Sequence, residues 1–171
     1  MYFFTADEHY FHKNIIRYCN RPFRDINQMH KIMIEGHNKL ISNNDIVFHL
    51  GDFAFLRPDQ ISKTSNILSQ LNGQHHLILG NHDEGKPFTY LNMGFASVHT
   101  SLYVEEFLLV HDPAMAVAVD DSQKVLCGHL HGLTDFVTPN ILNVGVDLNH
   151  YVPYTMDEIR KKYALANKKK A

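Results

Sequence analysis

Apolar residues recur along the chain in two rhythms. Short runs rich in Val, Ile, Leu and Phe at Met1–Thr5, Asp45–Leu50, Gln74–Leu79, Leu102–Val110, Lys124–Cys127 and Ile141–Val146 read as β-strands. Between the early runs the spacing is helical. Ile26, Met29, Met33, Leu40 and Ile41 follow a period near 3.6 after Asp25, a suitable N-cap, and Ile61, Ile67, Leu68 and Leu71 form a second stripe. A last helix is expected from about Met156 to Ala166, after Pro153. Helices alternating with strands predict parallel βαβ units in the first half, and consecutive strands from Leu102 onward predict a more antiparallel second half. The fold class is therefore α/β. No repeat, linker or low-complexity tract divides the 171 residues, so one domain over 1–171 is expected, without a second lid domain.

Polar clusters interrupt this pattern at five places: Asp7-Glu8-His9, Gly51-Asp52, Gly80-Asn81-His82-Asp83, His111, and Gly128-His129-Leu130-His131. Each follows a strand-like run, and open α/β sheets bind ligands just beyond the carboxyl ends of their strands. Asp7 and His9, and again His129 and His131, are two apart, which puts their side chains on one side if the chain stays extended. Glycines 51, 80 and 128 precede the polar residues, as expected of tight turns. Within the clusters, Asp7 and Asp52, Asn81, and His9, His111, His129 and His131 supply two carboxylates, one amide and four imidazoles, a ligand set for two metal ions. Imidazoles and hard oxygens without a thiolate suit Mn, Fe, Zn, Co or Ni rather than Cu(I) or an all-oxygen Ca site. An isolated Asp or His at a strand end is more often a turn former or core residue, so the ordered set carries the weight. His49, His75 and His76 are expected in core or supporting roles, and Glu8 is expected to point away from the metals.

The order D-x-H, G-D, G-N-H-D, a lone His, then G-H-x-H resembles the calcineurin-like metallophosphoesterases, over positions 7 to 131. The resemblance implies a β-sandwich flanked by helices. It implies a first metal on Asp7, His9, Asp52 and His131, and a second on Asp52, Asn81, His111 and His129, with Asp52 bridging. Manganese is the first expectation. Hydroxide shared by the ions would then be the nucleophile, and the ions would neutralise phosphoryl charge. His82 occupies the family's general-acid or electrostatic position, with a structural role as the alternative, and Asp83 is suited either to orient its imidazole or to local turn bonding. Asn14, within H-K-N-I-I-R-Y-C-N-R-P-F, and the run Asn143–Asp147 match features of small bacterial and phage members. The function implied is hydrolysis of phosphate esters, a phosphodiesterase ahead of a monoesterase because a chain without a capping domain leaves an open cleft. The alternatives are a non-catalytic metal-binding scaffold of the same fold, or a nuclease.

Composition narrows the partners. Lysines and arginines number 16 against 18 acids, so no charge excess points to polymeric nucleic acid or a membrane. A small phosphate ester or nucleotide is expected, and a homodimer is left open. Lys13 and Arg17 are four apart, on one face if Lys13–Cys19 is helical, and with Arg21 and Arg24 they would grip a substrate phosphate. The alternative is a solvated basic face. The Lys168–Lys170 tail reads as a frayed end. Cys19 and Cys127 lack metal-ligand spacing and read as free thiols of a reducing compartment. The start lacks a basic leader and no run reaches spanning length, so a cytoplasmic protein is expected.

Overall fold

The apolar runs of the first half become strands buried on both faces, as parallel sheets require. β1 (Tyr2–Thr5), β2 (Ile46–Leu50), β3 (Gln74–Ile78) and β4 (Ser97–His99) pair in parallel, with Phe3 opposite Val47 and Val47 opposite His75. The computed structural model describes residues 1–55, 61–116 and 118–168. The connections are a one-turn helix α1 (Ile15–Tyr18), α2 (Ile26–Leu40), α3 (Ile61–Leu68) and α4 (Pro87–Met93). Asp25 caps α2 as expected, its Oδ1 accepting from the Gln28 N–H at 2.8 Å. The apolar stripe of α2, with Met29 and Met33, packs with Ile67, Leu68, Leu77, Tyr90 and Met93 on one side of the sheet. The methionines there fill core space.

The second half forms another sheet from β5 (Leu102–Val104), β6 (Phe107–Leu109), β7 (Lys124–Cys127), β8 (Phe136–Thr138) and β9 (Ile141–Asn143), in the order β5-β6-β7-β9-β8. One expectation is corrected here. The run Leu102–Val110 is a hairpin that folds back at Glu105, which takes a left-handed φ of 51°. The sheet is mixed: β5 with β6 and β8 with β9 are antiparallel, while β6 with β7 and β7 with β9 are parallel, so the second half is more antiparallel than the first, as expected. β10 (Tyr154–Thr155) joins the first sheet beside β1, antiparallel.

Phe4, Phe48, Leu50 and Ile78 from the first sheet and Phe107, Leu109, Leu126 and Leu142 from the second share one core. Helix α5 (Met156–Lys168) closes it with Ile159 and Tyr163, whose hydroxyl donates to the Val125 carbonyl at 2.7 Å. The result is the expected α/β architecture of two sheets flanked by helices. Cys127 is buried, Cys19 is half-buried, and both are free thiols. No helix among the described residues is long and apolar enough to cross a membrane. Lys169 and Lys170 of the expected frayed tail lie outside the described residues.

Candidate metal centre

The five clusters converge where β1, β2, β3, β6 and β7 end. The segment after β1 runs beside the one after β2: Asp7 N–H donates to Gly51 O at 3.0 Å, and His9 N–H to Asp52 O at 2.9 Å. The backbone there is not extended, which corrects the basis of the two-residue spacing argument. Asp7, His9, Asp52, His129 and His131 all have φ between 49° and 71°. Left-handed backbone costs a non-glycine residue about 1–3 kcal/mol, and such strain gathers at functional sites where the surroundings enforce it. The side chains meet because the chain coils, not because it alternates. Two glycines are needed for this packing. A Cβ on Gly80 would stand 2.2 Å from Asp52 Oδ1, and one on Gly51, at φ 88°, would stand 2.3 Å from His111 Nδ1.

The seven expected ligand residues fall into two groups around Asp52. On one side lie Asp7, His9 and His131, buried or half-buried, with one ligand atom from each within 4.8 Å of the others. His9 Nε2 is 3.5 Å from Asp52 Oδ2. On the other side, His111 Nε2 is 3.6 Å from Asp52 Oδ1 and 3.0 Å from Asn81 Oδ1, and His129 Nδ1 is 2.8 Å from Asn81 Oδ1. His111 Nδ1 donates to the Leu50 carbonyl at 2.8 Å, which leaves Nε2 as the lone-pair nitrogen facing the group. These acceptor atoms face one another without enough protons to go round. A cation resolves that conflict. Asp7 Oδ2, both His9 nitrogens and His131 Nδ1 are buried without a hydrogen-bond partner, although Asp7 Oδ1 accepts from the His129 N–H at 3.0 Å. Buried polar groups are normally satisfied, so these orphans fit metal ligands. The residues present can hold divalent metal.

Burial raises the Asp7 carboxyl to about 8, helped by the like charge of Asp52 and opposed by His131. Burial lowers His9 to about 2, with neighbouring His131 acting in the same direction, so its imidazole is neutral and able to ligate. Burial also lowers His111. His131 is raised to about 10: burial works against its charge, but Asp147, Cys19 and Asp7 outweigh it.

Glu8 points away from the site, as expected, into a buried chain. Its Oε1 meets His49 Nδ1, and His49 Nε2 meets His75 Nδ1 at 3.0 Å. His75 Nε2 donates to Leu71 O at 3.2 Å, so the neutral chain runs in one direction and the Glu8 carboxyl carries its last proton. Burial raises that carboxyl to about 8, consistent with this polarity.

A stability prediction follows from these signs. Above pH 6.5, Asp83 (raised to about 7, chiefly by burial) binds more protons folded than unfolded up to about pH 7, Asp7 and Glu8 up to about 8, and His131 up to about 10. The buried histidines His9, His37, His49 and His75, all lowered mainly by burial, act in the opposite sense only below about 6.5. Thermal melts of metal-free protein should therefore fall in Tm from pH 6.5 to 9. Manganese-loaded protein should gain stabilisation across the same window, because metal competes with protons for these ligands. Parallel pH trends for the two forms would contradict this.

His82 lines a cleft of about 570 Å³ with His9, His12, His129 and His131, its ring 5.4 Å from that of His9. Its own N–H donates to Asp52 Oδ1 at 2.9 Å. Of the two readings of Asp83, the structure shows the local turn bonding, and no hydrogen bond joins its carboxylate to the His82 imidazole. Asp83 Oδ2 accepts from the Asp52 N–H at 2.7 Å and the Gly80 N–H at 2.8 Å, tying two ligand loops together.

The basic segment also differs. Lys13 and Asn14 precede the one-turn helix and are exposed, so Lys13 and Arg17 do not share a helical face. Among the described residues lining the cleft, neither these two nor Arg17 occurs. Arg17 lies over the Tyr18 ring instead, 5.4 Å from its centroid. Arg21, expected in a loop facing substrate, is buried: it forks onto both Asp147 oxygens at 2.8 Å and donates to the Asp7 and Glu8 carbonyls. It thus braces the first ligand loop from below. Asp147 Oδ2 in turn stands 3.8 Å from His131 Nδ1. Spacing within D-x-H and G-H-x-H gave no signal for the Arg21–Asp147 pair, whose members stood apart in the basic segment and at the end of the Asn143–Asp147 run.

The chain is 32% identical over 167 residues, 93% of its length and 89% of the relative's, to the uncharacterized protein MJ1445 of Methanocaldococcus jannaschii. In fold it is similar to AQ665 of Aquifex aeolicus, a protein of unknown function, with a TM-score of 0.74, 24% identity and coverage of 94% and 98% of the two chains. It is also similar to the Pseudomonas putida nuclease MPE, with a TM-score of 0.51 and 21% identity over 76% of this chain and 61% of that one. The sequence pattern of the calcineurin-like phosphoesterases matches residues 2–164, nearly the whole chain, and the protein belongs to that family.

Proposed function

We propose that the protein is a binuclear metal-dependent phosphodiesterase acting on small phosphate esters or nucleotides, with manganese as its preferred metal. The observation that carries the binuclear reading is the division of the Asp52 carboxylate. Oδ2 faces His9 at 3.5 Å and Oδ1 faces His111 at 3.6 Å, so one residue serves both ligand groups. Asp7, His9 and His131 complete the first group, and Asn81, His111 and His129 the second. When bound, two such ions would supply the Lewis acidity that activates water and offsets phosphoryl charge.

The remaining work falls to the chain. Asp83 and the His82 N–H hold the Asp52 loop in register with Gly80-Asn81. The His82 imidazole lines the cleft beside His9 and is placed to give a proton to the departing ester oxygen. A scaffold of this fold would have no use for that imidazole. A cleft of about 570 Å³ beside the ligand groups has room for an ester with two substituents, which supports the diester reading.

The test compares manganese-loaded protein on bis(p-nitrophenyl) phosphate, p-nitrophenyl phosphate and a short oligonucleotide. The aryl diester should exceed the monoester in kcat/KM by about tenfold or more, and chelation should abolish turnover. Monoester preference would overturn the diesterase reading. Faster cleavage of the oligonucleotide, steeply reduced by salt, would make the protein a nuclease.

A further inference from the structure

We propose that the cleft beside the metal centre contains a built subsite for a flat aromatic ring, a nucleobase, stacked on Tyr18. This rests on the phosphodiesterase reading and names the substituent that the ester carries.

Two chemically different sets of side chains line the cleft. Imidazoles of the metal centre and His82 line it together with Ile15, Tyr18, Leu130 and Leu133 and the amide of Asn20, and His12 links the two sets, its ring 5.4 Å from that of His9 and 6.0 Å from that of Tyr18. A volume of about 570 Å³ falls within the range of small-ligand sites, roughly 300–1,000 Å³. Tyr18 is 60% exposed and Leu133 is 83% exposed. Singly, an exposed apolar side chain needs no explanation, but these two line the same cavity, next to the site where phosphate would be held.

Tyr18 is also held in place before any ligand arrives. It ends α1, whose Ile15 is buried at 3% exposure. The Arg17 guanidinium packs on its ring at 5.4 Å, and His12 meets it nearly edge-on, with centroids 6.0 Å apart and planes at 75°. His12 is itself stacked on Phe55, centroids 4.9 Å apart at 18°. A ring braced by neighbours yet largely open to solvent loses little freedom when a second ring stacks on it. Base-on-aromatic stacking is worth roughly 1–3 kcal/mol and tolerates any base, because every base has a π-face. Asn20 adds an amide donor and acceptor of the kind that pairs with base edges. An alkyl substituent would leave both the π-face and the Asn20 amide unused.

The experiment is calorimetric titration of manganese-loaded protein with thymidine 5′-monophosphate and with 2-deoxyribose 5-phosphate, which differ only in the base. Wild type should bind the nucleotide roughly 5- to 140-fold more tightly, the stacking range converted at 1.4 kcal/mol per tenfold. In Tyr18→Ala that ratio should fall to within about twofold of unity, and in Tyr18→Phe it should persist. Equal binding of the two ligands by wild type overturns the ring subsite whatever the hydrolysis data show. So does a preference that survives in Tyr18→Ala. A second arm compares hydrolysis of thymidine 5′-(p-nitrophenyl phosphate) with ethyl p-nitrophenyl phosphate, which share a leaving group. If neither is cleaved while the Tyr18-dependent binding preference holds, the subsite stands and the phosphodiesterase reading falls.

Discussion

Replacing Asp52 with Asn is expected to leave the protein folded but unable to hold its metal pair, with turnover reduced on the order of 10³-fold or more. The fold should tolerate the change because Asn keeps the shape, and its Oδ1 can still accept the His82 N–H bond that Asp52 makes at 2.9 Å. What disappears is charge. Asp52 Oδ1 and Oδ2 each face a histidine of a different ligand group, at 3.6 and 3.5 Å, and an amide nitrogen placed on either side points a donor where a cation should sit. The several kcal/mol that a second Lewis acid contributes correspond to the stated loss at 1.36 kcal/mol per tenfold. Metal analysis after loading with excess manganese should show two ions per wild-type chain and at most one in the variant, with far-ultraviolet circular dichroism unchanged. Full occupancy in Asp52→Asn would show that this carboxylate does not bridge.

The second large effect concerns His82. Its ring lines the cleft beside His9, and its side chain belongs to neither ligand group. His82→Ala should therefore keep both ions while turnover of a dinucleoside phosphate, whose alkoxide needs a proton to leave, falls by roughly 10²–10⁴. A p-nitrophenyl ester should suffer much less, because p-nitrophenolate departs unprotonated. Equal losses on both substrates with metal content intact would move His82 from the leaving group to the phosphoryl oxygens. Full activity on both would remove it from catalysis.

Much of the fold and of the candidate site was legible in the residues themselves. Strands such as Lys124–Cys127 and the α2 stripe after Asp25 announce themselves by period and cap, and the seven expected ligands do gather around Asp52. The physical reason for that gathering was not legible. Alternation along an extended chain predicted that Asp7 and His9 would point together, whereas both are left-handed, a conformation imposed by pairing with Gly51 and Asp52 across the sheet. Long-range partners were equally hidden. Arg21 resembled a surface phosphate ligand until Asp147, 126 residues away, drew it into the interior. Asp83 read either as the support for its neighbour His82 or as a turn former, and it also serves the backbone of Asp52, 31 residues earlier. The missed elements were short. Helix α4 shows only Pro87 at its start and Gly94, at φ 117°, at its end, and β10 is a two-residue edge strand with no period to detect.

The claim on which the rest depends is that two ions share Asp52. Electron paramagnetic resonance of manganese-loaded protein measures it directly, because ions bridged by one carboxylate couple magnetically. Loading to two equivalents should yield the multiline spectrum of an exchange-coupled pair, and Asp52→Asn should lose it. A wild-type spectrum of isolated, uncoupled manganese at every loading would contradict the binuclear centre.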